Sequence, residues 1–382
     1  MPSLCIIGNP ENRRVTFCSE DARRLGWQVR IVPWIELLNT SEETWASRIA
    51  ASIIRIESPG ENSAVERCLI SRGANATSAD ACLQFSGEYG RIESMADWFA
   101  GFCHVLEALA RSNRDEQHGR WMNHPDDIMV MFDKARCQQL LRIAEIPVPQ
   151  VYGFIESWSG LVQLMENAGV HRVFVKPPHS SSASGVIALQ RLGTRWVAQT
   201  SVEVVCSGEA VRLYNSLDVK RYDDPETISR IVDELGKSGL HVEKWIPKAG
   251  FAGRTFDLRV LVVAGQTRHT VVRTSVTPMT NLHLGNARGD LDALRDLIPE
   301  VYWNAAMETC QRAALCFPGS LYTGIDLLFT PGFRSHCVLE ANAFGDLLPG
   351  IMSRGESTYE AELKASAEHP SRSAPPGRSH FR

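Results

Sequence analysis

The chain has 382 residues, enough for two to three domains that each bury a core of their own. With 40 Lys and Arg against 44 Asp and Glu, its formal net charge of −4 excludes an electrostatic footprint for nucleic acid or a membrane surface. At 44% hydrophobic and 22% charged residues it has the composition of an ordinary globular protein, and no apolar run approaches the roughly 20 residues of a membrane span.

In chain order, Leu4 to Ile7 reads as a strand, followed by a Gly8-Asn9-Pro10 turn, a helix through Arg24 and a strand at Val29 to Val32. A third apolar run, Ala51 to Ile56, stops at Ser58-Pro59-Gly60, and apolar residues at helical spacing run from Met95 to Leu109. Residues 1–123 therefore read as an α/β domain. A helix from Asp126 to about Ala144 closes on Ile146-Pro147-Val148-Pro149, because proline cannot continue it. Strands are expected at 172–176, 186–189, 202–206, 210–213, 256–263, 270–275, 324–329 and 336–342. Residues 366–382, rich in Ser, Pro and Arg, read as a disordered tail. There is no secretory signal pattern at the N-terminus, so a cytoplasmic location is expected. Ten scattered cysteines with no C-x-x-C pair and no neighbouring His argue against zinc and disulfide frameworks.

Two familiar nucleotide signals fail. Gly236-Lys237-Ser238 lacks the first glycine of a phosphate-binding P-loop, since residue 231 is Ile, and no G-x-G-x-x-G follows the first strand. The chemistry is concentrated near the end instead. Gly324 to Phe329 and His336 to Asn342 flank a Pro331-Gly332 turn, and a hairpin centred near 333 sets Asp326 opposite Glu340 with Cβ atoms about 5 Å apart. Alternation puts Asn342 on the same face. Two facing carboxylates repel unless a cation lies between them, and an all-oxygen set favours magnesium or manganese, one or two ions.

Three further segments carry polar residues where apolar strands surround them. Val173 to Pro178 leads into His179-Ser180-Ser181-Ser182-Ala183-Ser184-Gly185, whose small side chains, Ser182, Ser184 and Gly185 among them, let backbone N–H groups approach phosphate, with Lys176 supplying a point charge. Val242-Glu243-Lys244-Trp245-Ile246-Pro247 reads as an edge-like segment ended by proline. Asp257 and Arg259 share a strand face, and Arg273 leads towards a polar loop, Thr280-Asn281-Leu282-His283-Leu284-Gly285-Asn286.

Taken in order, Asp133-Lys134, Lys176-Pro177 with its small-residue loop, Glu243-x-x-Ile246, Asp257-x-Arg259, Arg273, Asn281-Leu282-His283, Asp326 and Glu340-x-Asn342 resemble an ATP-grasp enzyme over about residues 125–350. The Thr280 to Gly285 run is most similar to the branch that adds glutamate to the C-terminus of a ribosomal protein. The fold implied is α/β and α+β: a pre-ATP-grasp α/β domain at 1–123, a small lobe at 124–241, and a large lobe with the metal site at 242–355. The resemblance implies that Lys134 and Lys176 hold ATP phosphates and that the backbone of Glu243, Lys244, Trp245 and Ile246 holds adenine. Asp257 then lies near the ribose, Asn281 near the phosphates, and Asp326, Glu340 and Asn342 on the metal. Arg259 and Arg273, guanidinium forks suited to planar oxyanions, face the γ-phosphate and an acylphosphate; His283 binds a substrate carboxylate or accepts the amine proton. The substrate pocket is expected to borrow Arg55 and Glu57 and the Gly87 to Arg91 segment from the first domain.

The activity implied is ATP-dependent joining of a carboxylate to an amine, with ADP and phosphate released. The alternatives are phosphoryl transfer without ligation, or a nucleotide-binding scaffold. The partners implied are a small-molecule or peptide carboxylate and an amine acceptor, with a homodimer as the assembly.

Overall fold

The computed structural model describes residues 1–74, 85–114, 117–180, 183–207, 210–345 and 349–368. Three sheets carry it. The first is parallel, in the order β2 (Gln28–Pro33), β1 (Ser3–Gly8), β3 (Ile53–Ile56), β4 (Arg120–Trp121). Its central strands β1 and β3 are buried almost throughout because helices cover both faces, while β2 at the edge alternates. Two of those helices, Ser63–Ala74 and Met95–Ser112, meet through glycine: a Cβ on Gly101 would sit 1.8 Å from the Leu69 carbonyl oxygen.

The second sheet is antiparallel, in the order β5 (Val151–Ile155), β10 (Leu240–Lys244), β6 (Arg172–Lys176), β7 (Ile187–Leu192), β8 (Arg195–Ser207), β9 (Ala210–Tyr222). One face packs Val173, Val175, Leu240 and Val242 against the helices Trp158–Asn167 and Pro225–Gly236. Period-2 alternation turns Phe174, Lys176, His241 and Glu243 to the other face. Two expectations are corrected here. The segment carrying Glu243 is an interior strand, not an edge, and residues 241 and 242 both lie within it. The strands read at 202–206 and 210–213 are the inner part of a hairpin whose arms have 13 residues each; their alternation is too polar to mark its length.

The third sheet runs β14 (Ala287–Gly289), β13 (Gln266–Ser275), β12 (Arg254–Val263), β15 (Tyr322–Phe329), β16 (His336–Asn342), with β11 (Gly250–Phe251) paired to β12. Phe256, Leu258, Val260, Ile325 and Leu327 face the helix Glu300–Leu315 and belong to one core with Phe102, Leu106 and Trp34 of the first domain. The helix Pro125–Phe132 and its successor Lys134–Ile143 contribute Ile128, Met131, Cys137 and Leu141 to that same core. The segment expected to open the small lobe therefore packs against the first domain and the third sheet.

The other face of β12 and β15 changes character along its length. Leu261, Val263 and Tyr322 pack on the first domain and on the last helix, Thr358–Glu368. Further along, Asp257, Arg259 and Asp326 take the same face. Ser366 is buried on that last helix and bonds to Leu363, so residues 366–368 are helical rather than part of a tail; the remainder of the expected tail lies outside the described residues.

Arg55 and Glu57 do not line a substrate pocket. Both are 1% exposed, and Arg55 ties Glu57 (Nε to Oε1, 2.6 Å) to Glu362 of the last helix (Nη1 to Oε2, 2.6 Å), with its guanidinium 4.6 Å from the Tyr322 ring centre. Two carboxylates share one guanidinium. Burial, opposed by Arg55, raises the Glu362 carboxyl from its ordinary 4.5 to about 7. The folded chain then holds a proton that the unfolded chain has released, so stability falls as pH rises from about 4.5 to about 7 and is level above it. Glu362→Gln is expected to flatten that slope, measured by urea unfolding at pH 5, 6, 7 and 8. An unchanged slope would show that the slope arises elsewhere.

Candidate active site

β15 and β16 deliver the acidic set. Phe329 pairs with His336 and Leu327 with Val338, a register that continued unbroken would have set Asp326 opposite Leu339. A bulge after Asp326 inserts Leu339 as an extra residue, so Asp326 faces Glu340 and Gly324 faces Asn342. The Asn342 amide nitrogen donates to the Gly324 carbonyl at 3.1 Å, leaving its oxygen as the atom it can offer a cation.

Each of the two carboxylates is paired with its own side-chain cations. Arg259, the cross-strand neighbour of Asp326, donates from Nε to Oδ1 and from Nη2 to Oδ2 at 3.2 Å. Arg273 Nη2 reaches the same Oδ1 at 3.1 Å. Lys134, the first residue of its helix, pairs with Glu340. Packing around Glu340 opposes ionisation, but Lys134, Lys176 and Arg259 outweigh it and hold the carboxyl below its usual range.

Asp257 is buried and fully engaged. Its Oδ1 accepts from Arg273 Nε at 2.7 Å, and its Oδ2 accepts from Lys248 Nζ at 2.8 Å and from the Thr280 hydroxyl. Lys248 also donates to Thr280 at 2.7 Å. The carboxylate thereby gathers β13, the segment after β10 and the Thr280 loop. Burial lowers the Lys248 ammonium despite Asp257.

A cleft between the second and third sheets completes the site. Met131, Leu141, Val148 and Leu339 form its apolar walls; Gln138, His241, Glu243, Lys134, Lys176 and Glu340 bring polar atoms to it. Lys176 pairs with Glu243 from the adjacent strand. Burial disfavours both charges, yet each holds the other ionised: Lys176 is raised and Glu243 lowered from their ordinary values.

Two loops meet beside the second sheet. Gly185 has φ +71°, and a Cβ there would meet Pro177 Cγ at 2.7 Å, so the small-residue loop folds tightly back on its own start. Val186 packs with Met279 and Leu284, joining that loop to the one holding Asn281. His179 stacks on Phe99 of the first domain, ring centres 3.8 Å apart, and burial drops its imidazole to about 4. Ser182 lies outside the described residues. Asn281 accepts from the His283 backbone N–H at 3.0 Å, and the His283 side chain is exposed, as is Lys244; Trp245 and Ile246 are half-buried.

The structure thus brings Lys134, Lys176, Glu243, Arg259, Arg273, Asp326, Glu340 and Asn342 together and adds Gln138, His241, Lys248 and Thr280, which sequence reasoning missed. Gln138 lies one helical turn after Lys134, the one signal that could have found it; Lys248, nine residues before Asp257, had none. The Gly87 to Arg91 segment is placed elsewhere, clipped to β9 by the Ile92 N–H on the Leu213 carbonyl.

No protein-family model matches the chain, and no curated protein is similar to it in sequence. Solved structures are similar in fold. The ATP-grasp ligase PsnB complexed with a minimal precursor superposes with a TM-score of 0.54 at 13% identity, over 96% of this chain and 99% of that one. D-cycloserine synthetase DcsG gives 0.55 at 13% identity over 96% and 99%, and the ADP complex of the N5-carboxyaminoimidazole ribonucleotide synthetase purK 0.58 at 11% over 97% and 78%. The chain has the ATP-grasp fold. In these ATP-grasp terms the cleft lies between the sheets of two lobes, with the acidic strands of one facing the lysine-bearing strand of the other. Among the described residues no three His, Cys, Asp or Glu side chains form a metal cluster, and no helix is long and apolar enough to cross a membrane.

Proposed function

We propose that the chain is an ATP-dependent carboxylate–amine ligase working through an acylphosphate. The observation that carries this reading is the pairing of five cations, Lys134, Lys176, Lys248, Arg259 and Arg273, with four carboxylates, Glu243, Asp257, Asp326 and Glu340, of which Lys134, Lys176, Glu243 and Glu340 line an apolar slot. An apolar slot with polar atoms at its margin suits a nucleobase, and a line of cations suits a triphosphate.

A carboxylate cannot be attacked directly by an amine, because oxide is too poor a leaving group. Its oxygen therefore attacks the γ-phosphorus and ADP departs; the amine nitrogen then attacks the acyl carbon, phosphate departs, and the amine proton passes to solvent or a base. Negative charge crowds the first step, and positioned cations stabilise it. Arg259 and Arg273, held by Asp326 and Asp257, are set to grip the transferring group, while Lys134 and Lys176 serve the phosphates. Asp326, Glu340 and the Asn342 oxygen form an all-oxygen set suited to magnesium, which binds through one or two carboxylates plus substrate phosphates. Bound there, magnesium would offset phosphate charge that side chains alone leave. The guanidinium groups now on Asp326 would turn towards the triphosphate.

The polar Thr280 to Gly285 run supports an amino acid or a peptide terminus among the substrates. The test is incubation with ATP, magnesium and pooled amino acids and short peptides, read by product mass. A product equal to acid plus amine minus water, with ADP and phosphate, is expected. A phosphorylated substrate as the sole product would replace ligation by phosphoryl transfer, and nucleotide binding without any product would leave a scaffold.

A further inference from the structure

The small-residue loop is anchored differently at its two ends. Where it leaves, Ala183 and Val186 are tied to β8 of the same sheet: their carbonyls accept from the Ser201 hydroxyl at 2.6 Å and the Thr200 hydroxyl at 2.7 Å. Where it begins, both anchors come from outside that sheet. The Pro178 carbonyl accepts from the Lys134 backbone N–H at 3.1 Å, and the His179 ring lies on Phe99 at 3.8 Å with 8° between the planes. Phe99 belongs to the helix Met95–Ser112 of the first domain, whose Trp98 and Phe102 pack on Phe132, two residues before Lys134, while its Met95 packs against the core of the second sheet. One helix thus touches both cores. Among the described residues no hydrogen bond orients the His179 side chain: its Nδ1 is buried without a partner, and the ring is neutral because burial lowers it to about 4. The stack alone sets its place.

We infer that Phe99 is a positioning residue for nucleotide binding: stacked on His179, it lets the first domain hold the start of the small-residue loop where that loop meets the phosphates. This rests on the nucleotide reading above and adds the first domain to the nucleotide site. A loop whose backbone N–H groups must settle on phosphate oxygens gives up conformational freedom on binding. One that is already held gives up less, and the difference appears as affinity. A stacked aromatic pair contributes beyond the area it buries, so a flat partner for His179 holds the loop better than an apolar side chain of similar bulk. Lys134 fixes the same stretch from its backbone, which keeps Pro178 and His179 beside the ammonium assigned to the phosphates.

Isothermal titration with ATP and magnesium reads the effect without turnover. Phe99→Leu keeps apolar bulk and removes the flat ring, and it is expected to weaken ATP about two- to tenfold, the worth of one aromatic pair. His179→Ala is expected to weaken ATP by a similar factor, and the double variant no further than either alone, because both changes remove the same contact. Phe99→Tyr restores a ring and is expected to recover most of the loss. A merely structural role would lower the unfolding midpoint and leave the ATP affinity of the folded variants unchanged, which would overturn the inference. Losses that add in the double variant would overturn it as well. Should Phe99→Leu fail to fold, His179→Phe and His179→Ala decide alone: equal ATP affinity for the variant that keeps a ring and the one that lacks it would be the overturning result. Absence of ATP binding by the wild type would instead remove the nucleotide reading itself.

Discussion

Glu340→Gln yields a folded protein whose ATP-dependent turnover falls by about 10²- to 10³-fold, the loss typical of removing one positioned electrostatic group. Gln keeps the shape and one acceptor oxygen for Lys134, so β16 and its bulge stay in place. The Lys134–Glu340 pair is partly exposed, with a third of the Glu340 side chain open, and the stability cost should be below about 1 kcal/mol. On the proposed reading the rate falls for a different reason: the all-oxygen set of Asp326, Glu340 and Asn342 would lose a negative charge that a divalent ion needs. Steady-state ADP release, with unfolding curves alongside, separates the two. Turnover at the wild-type rate in the folded variant would remove Glu340 from the reaction centre.

Asp257→Ala acts on stability first, with an expected loss on the order of 3–5 kcal/mol in urea unfolding. Lys248, with a side chain 9% exposed, would lose its carboxylate partner in a place water barely reaches, and Arg273, 6% exposed, would lose one of its two and keep Asp326. The Thr280 hydroxyl would lose an acceptor as well, loosening the loop that carries Asn281. Lys248→Met placed on top should recover part of the loss, because it removes one stranded charge; strict additivity of the two changes would show that the pair does not interact. The pH dependence has a defined sign. Burial opposes ionisation of Asp257, but Arg273 and Lys248 hold its carboxyl far below the ordinary 3.8. The stabilisation is therefore complete above about pH 4 and is lost only as strong acid protonates the folded carboxylate.

Arg55 and Glu57 illustrate where residue-level reading misleads. Charged residues beside a Ser58-Pro59-Gly60 turn have the signature of a loop that faces a ligand. Nothing local to them reveals that Glu362, 307 positions away, closes on Arg55 and turns the pair into the joint between the first domain and the last helix. The same holds for Lys248 and Gln138, whose neighbours in sequence are ordinary but whose partners Thr280 and His241 arrive from other elements. The pairing of Asp326 with Glu340 was legible from a symmetric hairpin, yet it is realised through an inserted Leu339. A symmetry argument finds the facing pair; it does not reveal the bulge that makes it so, because a bulge leaves no periodic trace.

From the amino-acid sequence alone follow the α/β start, the antiparallel strands of the later part, and the order of Lys134, Lys176, Glu243, Arg259, Arg273, Asp326, Glu340 and Asn342. These rest on local rules: alternation puts every second residue on one face, and turn residues mark where strands reverse. Tertiary structure alone decided which cation holds which carboxylate, that Asp257 is a clamp, that the helices after residue 124 share a core with the first domain, and that β10 runs through the middle of its sheet. Those features depend on groups brought together across long stretches of chain. Burial and Coulomb attraction act through space, and sequence distance does not encode them.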